Sequence, residues 1–252
     1  MVGVRSFAGQ SFTRWDLRQV VRAALATALT LGLAWLVTAA TDEGGVSWGE
    51  RAGRTLPLTP LCATVGAWVA LAPALSRGEV LALAALGRSR AQIAAAAVAG
   101  GALVAVAASV ALGLARAVDV TGFFPTATHA SAWAWSGAGF VDALHGLRVG
   151  ADGAPVRIAS DPGRVFAGIP PFGRAAAAAL TALAGLALPL LLAHVLLGRA
   201  RVLPVVLAAV AAVATSVLLF QAAAAGHLPA AVGTLPAVAL LVFAVRRYRR
   251  HP

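Results

Sequence analysis

The chain has 252 residues, a formal net charge of +11 and a mean hydropathy of +0.85, and 60% of its residues are hydrophobic. Only 12% are charged, where soluble domains carry about 25%, so the apolar excess is more than a soluble core can hold and the chain reads as a polytopic membrane protein. Every Lys/Arg position is Arg, which excludes a Walker A ATPase, whose loop needs a Lys on the nucleotide phosphates.

Arg14-Trp15-Asp16-Leu17-Arg18-Gln19-Val20-Val21-Arg22 opens a first apolar run over about 20–40. That run is longer than the roughly 7–15 residues of a signal-peptide core. It reads as a span, with Thr38-Ala39-Ala40 only a faint cleavage pattern. Ser47-Trp48-Gly49-Glu50 fits a capping box, which starts a helix by satisfying its free N–H groups. A second run follows over about 55–75 and holds Cys62, the single cysteine. One cysteine excludes an intrachain disulfide and a Cys-based metal cluster. Trp15, Trp35 and Trp48 lie near run ends, the place of interfacial anchors.

Between the second and third runs lies a short basic island, 76–90. Ser76-Arg77-Gly78-Glu79 fits a capping box and Ser89-Arg90-Ala91-Gln92 its Gln version. Gly87 is placed to end a short helix in a left-handed cap. A helix over about 76–88 is too short and too charged to span a bilayer, and it offers a soluble partner something to hold.

The third run covers about 91–115. A polar insert, 117–171, follows it. Ala132-Trp133-Ala134-Trp135, Gly139-Phe140-Val141 and Pro155-Val156-Arg157-Ile158 read as short strands, and Gly150-Ala151-Asp152-Gly153 as a hairpin turn. About four weak strands are expected, too few for a large independent core. Further runs cover about 175–197, 202–225 and 229–245. The expected fold is therefore an all-α integral membrane domain. Its six transmembrane helices stand in a 3+3 arrangement: 1–116 with three spans and the cytoplasmic helix, 117–171 as a small β-like lumenal insert, and 172–252 with three spans and a basic tail.

Charge sets the orientation. With the N-terminus inside, 13 Arg face 2 acids on the inner side, and 7 Arg face 7 acids on the outer side. The whole net charge then lies inside, as the positive-inside bias requires. Topology and anionic inner-leaflet lipid account for the basicity, so nucleic acid is not an expected partner.

No catalytic, metal or cofactor constellation stands out. Asp142 and His145, with His129 and Ser131 upstream, are the nearest approach to an acid–base set, and they define the rival reading of a membrane-embedded lipid-modifying enzyme. His194 reads as an interhelix or interfacial residue, and Gln221 as interhelical glue. The interiors of the six runs carry no Asp, Glu or Arg. Ion-coupled transporters place ionisable groups at that depth; a lipid passenger does not need them. Arg51, Arg54, Arg116 and Arg174, at the outer edge, are candidates for lipid phosphates.

Three segments resemble the lipopolysaccharide-export permeases (LptF/LptG, YjgP/YjgQ type): Arg14 to Arg22, similar to that family's N-terminal helix; Glu79 to Gly87, similar to its coupling-helix motif; and Gly226-His227-Leu228-Pro229 with Leu235-Pro236 and Arg246-Arg247-Tyr248-Arg249-Arg250, similar to its sixth span and tail. The resemblance covers both membrane halves. The insert is much shorter than the β-jellyroll the family carries between its third and fourth spans. The Glu79–Gly87 segment also looks like the cytoplasmic motif of MacB/FtsX-type ABC permeases, which have four spans.

The resemblance implies a permease subunit of an ABC-type exporter in the bacterial inner membrane, with both termini cytoplasmic and no cofactor of its own. Its cargo would be lipopolysaccharide or a related lipid. Its partners would be a cytoplasmic ATPase subunit and a second permease subunit, identical or homologous. Glu79, Val80, Leu83, Ala84 and Gly87 would couple to the ATPase. Small residues on the first and fifth runs, such as Ala34 and Ala212, are expected to face a lipid cavity shared with the second subunit.

Overall fold

The computed structural model describes residues 13–41, 45–124, 133–135, 139–142, 147–150, 153–157, 169–170, 172–198, 201–225 and 227–249. The described chain runs through α1 (Arg14–Thr41), α2 (Trp48–Thr55), a 3-10 turn (Leu56–Leu58), α3 (Thr59–Ser76), α4 (Glu79–Ala85) and α5 (Arg90–Leu114). A 3-10 turn (Thr121–Phe123) leads to strands β1 (Trp133–Trp135), β2 (Gly139–Asp142), β3 (Leu147–Gly150) and β4 (Pro155–Arg157). Then come α6 (Gly173–Leu196), α7 (Val202–Ala224), a 3-10 turn (Ala230–Thr234) and α8 (Leu235–Arg249). Among the described residues, six helical stretches are long and apolar enough to cross a membrane: α1, Trp48–Ser76, α5, α6, α7 and Ala230–Arg247.

Local chemistry starts these helices. Thr13 and Asp16 cap α1 reciprocally: the Thr13 N–H and hydroxyl donate to the Asp16 carboxylate at 3.0 and 2.7 Å, and the Asp16 N–H donates to the Thr13 hydroxyl at 3.3 Å. Ser47 accepts from the Glu50 N–H at 3.2 Å, half of the expected box, while Glu50 turns to Arg54 instead. Ser89 and Gln92 form the full box at the start of α5.

α5 and α6 pack together at the centre, with α3 against both, α1 against α3 and α5, and α8 leaning on α6. Alanine makes this closeness possible: Ala23, Ala63, Ala67, Ala70, Ala97 and Ala105 are fully buried. Small side chains let helix backbones approach, and dispersion then holds them. Gly66 of α3 and Gly100 of α5 are the glycines that approach α1 most tightly. A Cβ on Gly66 would strike the Thr27 hydroxyl and the Ala23 carbonyl, and one on Gly100 the Val20 carbonyl.

The strands form one antiparallel meander in the order β1-β2-β3-β4. Phe140 stands opposite Val149, and Leu147 opposite Arg157. The sheet follows the end of α5 remote from α4. At that end the Asp119 N–H donates to the Gly49 carbonyl at 3.0 Å, tying the loop after α5 to α2.

Candidate functional site

α4 is the element the sequence singles out, and its ends are built by glycine. Gly78 precedes it at φ +72°, a left-handed conformation that costs glycine little. The capping box expected from Ser76 to Glu79 does not form, because α3 runs on through Ser76, whose hydroxyl donates to the Pro73 carbonyl at 3.0 Å. Gly87 ends the helix at φ +85°. The Gly87 N–H donates to Ala84 and the Arg88 N–H to Leu83, both at 3.0 Å, the paired bonds of a Schellman motif. The helix proper is Glu79–Ala85, shorter than the 76–88 expected.

Its two faces differ. Val80 is buried in a cluster with Leu71, Ala74, Ile93 and Leu197, and Leu83 packs against the same cluster. Leu81 and Leu86 point outward, 71% and 80% exposed, and Ala84 is exposed beside them. Large apolar side chains this exposed on a helix next to Arg77, Arg88 and Arg90 form a surface with no partner among the described residues.

Both ends of α4 are tied to α1. The Trp15 indole N–H donates to the Glu79 carboxylate at 3.0 Å, and Arg77 donates to the other oxygen at 2.7 Å. Beyond the helix, Arg88 grips both oxygens of Asp16 at 2.7 and 2.8 Å and stands 5.7 Å from the Trp15 ring centroid, within cation–π range. Arg90 donates to the Leu197 carbonyl at 2.9 Å, joining the start of α5 to the end of α6. The hydrogen bond from Trp15 holds the Glu79 carboxyl below its ordinary pKa, outweighing partial burial, and the charges of Arg77 and Arg22 act the same way.

Of the residues picked out in sequence, Glu79, Val80 and Leu83 therefore hold α4 to the bundle, Gly87 ends it, and Ala84 is on the outward face. Sequence reasoning missed Leu81 and Leu86, the outward apolar pair, and the anchors Trp15, Asp16 and Arg88. A signal was present for Asp16: it is the one acid in a stretch of Arg, and an acid there needs a basic partner.

The four outer arginines divide. Arg54 pairs with Glu50 at 2.6 Å, and Arg51 lies 6.0 Å from the Trp35 ring centroid. Arg116 is exposed. Arg174 turns inward and donates to the carbonyls of Leu112, Ala115 and Val118 at 2.8–3.0 Å, so its guanidinium closes the end of α5.

His194 bonds the Ala244 carbonyl through Nε2 at 3.1 Å and joins α6 to α8, as expected for an interhelix residue. Gln221 does not act as glue within the described residues; it is exposed near the end of α7, while its neighbours Phe220, Ala223 and Ala224 face the core. Gln19, fully buried in α1, has neither amide atom hydrogen-bonded. His129, Ser131 and His145 lie outside the described residues, and only the backbone of Asp142 is described, at the end of β2. Among the described residues no three of His, Cys, Asp or Glu gather as a metal site.

A cavity of about 460 Å³ lies between α3, α6, α7 and α8. Ala212, expected to face a space shared between subunits, lines this space inside the chain.

The six apolar helices mark the chain as a multi-pass membrane protein. No known family, no curated protein and no solved structure matches it.

Proposed function

We propose that this chain is the permease subunit of an ATP-driven, ABC-type lipid exporter in the bacterial inner membrane. The observation that carries the reading is α4: a seven-residue helix tied at both ends to α1, with Leu81 and Leu86 turned outward. A partner that pushes on those leucines moves α1 and α5 with it, because the anchors leave α4 no independent motion. A cytoplasmic ATPase subunit is the partner this arrangement suits, and the chain has no Lys with which to bind ATP through a Walker A loop. The N-terminus, α4 and the C-terminus are cytoplasmic and the sheet is outside, by the charge bias of the flanking segments.

A second permease subunit, identical or homologous, faces α1 and α7. These two are the least buried of the six spans, each with 11% of its apolar window buried against 28–56% for the others. Leu29 and Leu33 of α1 and Val210 and Leu218 of α7 are among their exposed residues. Between two such faces a lipid cargo finds an uncharged surface, and the resemblance to lipopolysaccharide-export permeases makes that lipid or a relative the cargo. Arg116, exposed at the outer edge, is the candidate for lipid phosphates; Arg54 is paired with Glu50, Arg51 lies over the Trp35 ring, and Arg174 is committed to carbonyls.

The test is purification from the native host in mild detergent. Wild type should bring an ATPase with a Walker A sequence. A Leu81→Asp/Leu86→Asp variant, which leaves Val80, Leu83 and every anchor in place, should lose it while remaining folded. A wild-type preparation without an ATPase, or a double variant that keeps it in full, overturns the reading.

A further inference from the structure

We infer that one acyl chain of a bilayer lipid occupies the cavity inside a single copy of this protein, between α3, α6, α7 and α8. The inference needs neither an ATPase nor a second subunit, so it stands apart from the transport reading.

The cavity exists because α7 is held at one place and free at another. Near its end, the Phe220 ring lies 5.1 Å from that of Phe124. Phe220 also presses on Gly233, where a Cβ would come within 2.9 Å of the ring. α7 packs on α8 and the 3-10 turn before it, but meets α6 only slightly and α3 not extensively. Its middle therefore stands off from α6. Leu180 and Leu188 of α6 form the back of the space, Phe123 lies across its sheet end, and Leu61 and Val213 stand at its sides. Leu61 and Val213 are both more than half exposed, so the mouth opens sideways between α3 and α7.

Both helices belong to spanning stretches, so in a single copy of the protein the mouth opens to the hydrocarbon of the bilayer. The lining carries no charged side chain, and its polar side chains are the hydroxyls of Thr181 and Ser216. Thr181 already donates to the Ala177 carbonyl at 3.0 Å. A buried water needs about 2–4 polar partners, which this wall does not supply.

At about 460 Å³ the space is within the ligand-pocket range of about 300–1,000 Å³. A helix from a second copy, about 10–12 Å across, would fill it with little more than one turn; a thin chain fills it along its length. The chain belongs to a lipid because the mouth lies between two spanning stretches and the wall, which begins at Pro57 just past the charged helix α2, carries no charge that a free fatty acid's carboxylate could pair with.

The test uses the full-length protein alone, in phosphatidylcholine/phosphatidylglycerol vesicles with a trace of phosphatidylcholine bearing a diazirine near one acyl terminus. After irradiation, adducts mapped by peptide mass spectrometry should be several-fold more frequent on Leu61, Leu188 and Val213 than on Leu29 and Leu33, which are more exposed but outside the cavity. Equal labelling of the two sets overturns the proposal. Ala184→Phe/Ala212→Phe, which fills the space, should reduce the cavity adducts at least fivefold and leave those on α1 unchanged; unchanged labelling of Val213 overturns it as well. The wild-type map decides if that variant fails to fold. Excess unlabelled phosphatidylglycerol should compete with the probe and excess oleate should not; the reverse would make the occupant a free fatty acid and overturn the assignment to a bilayer lipid.

Discussion

The indole N–H of Trp15 and the carboxylate of Glu79 meet at 3.0 Å across 64 positions of chain. The bond joins the first turn of α1 to the first turn of α4. With the Asp16–Arg88 pair at the other end of α4, it makes a two-point attachment, and a helix fixed at two points transmits displacement instead of swinging about one.

Glu79→Gln keeps an acceptor for Trp15 but removes the charge that Arg77 and Trp15 share. Charge-assisted hydrogen bonds are roughly twice as strong as neutral ones, so a loss of about 1 kcal/mol is expected. The folded carboxyl titrates below its ordinary value, so its stabilisation is full above about pH 4.3 and fades as pH falls through the lower, folded value. Thermal unfolding in detergent should show wild type above Glu79→Gln at neutral pH and the two converging in acid. A gap that stays constant down to strong acid would show that the charge is not used. In an assembled ATPase complex, the same variant should keep its expression and lose lipid-stimulated hydrolysis.

Arg88→Ala should be the most damaging change around α4. It leaves the Asp16 carboxylate, whose side chain is 6% exposed, with only Thr13 as partner. Breaking a buried pair costs about 3–5 kcal/mol, and the retained Thr13 bonds place this case near the lower figure. Asp16→Asn/Arg88→Met removes both charges together and should recover much of that loss. Chemical denaturation in mixed micelles measures all three proteins; a double variant no better than Arg88→Ala would refute the argument.

Gly66→Ala should destabilise α1–α3 packing by about 1–3 kcal/mol, the cost of overpacking, because the new methyl meets the Thr27 hydroxyl and the Ala23 carbonyl. Gly32→Ala on the same helix pair meets nothing within 4 Å and should be neutral or slightly stabilising through helix propensity. Paired melting curves give the comparison, and equal effects would mean that the close approach is not real.

Arg174→Lys keeps the charge but cannot reach three carbonyls with a planar fork. A loss of about 1–2 kcal/mol is expected, with anionic-lipid binding unchanged. Full stability with weakened lipid binding would restore the phosphate-ligand role expected from sequence.

Orientation is checked by Ala84→Cys on a Cys62→Ala background. Ala84 is exposed on α4, so a membrane-impermeant maleimide should label it only after cells are opened. Strong labelling of intact cells would invert the topology.

Much of the architecture was legible because hydrophobic length is a one-dimensional property. The run over about 91–115 became Arg90–Leu114, and that over 175–197 became Gly173–Leu196. Gly87 and the Ser89–Gln92 box were legible because a cap is made by residues a few positions apart. The Ser76 box failed for the same local reason in reverse: Ser76 had a competing carbonyl at Pro73, and α3 did not stop where the motif would have had it stop.

The sequence by itself determined the class of protein, the number of apolar helices and the place of the short helix between two of them. Tertiary structure alone decided that Trp15, Asp16 and Arg88 hold α4, that Arg174 is spent on α5, and that Ala212 lines a space within the chain. The physical reason is that caps and apolar runs depend on near neighbours. The partner of a buried charge, and the side of a helix that a cavity lies on, depend on how helices far apart in sequence are rotated against one another, and in an alanine-rich bundle apolar on every face the residue pattern leaves that rotation open.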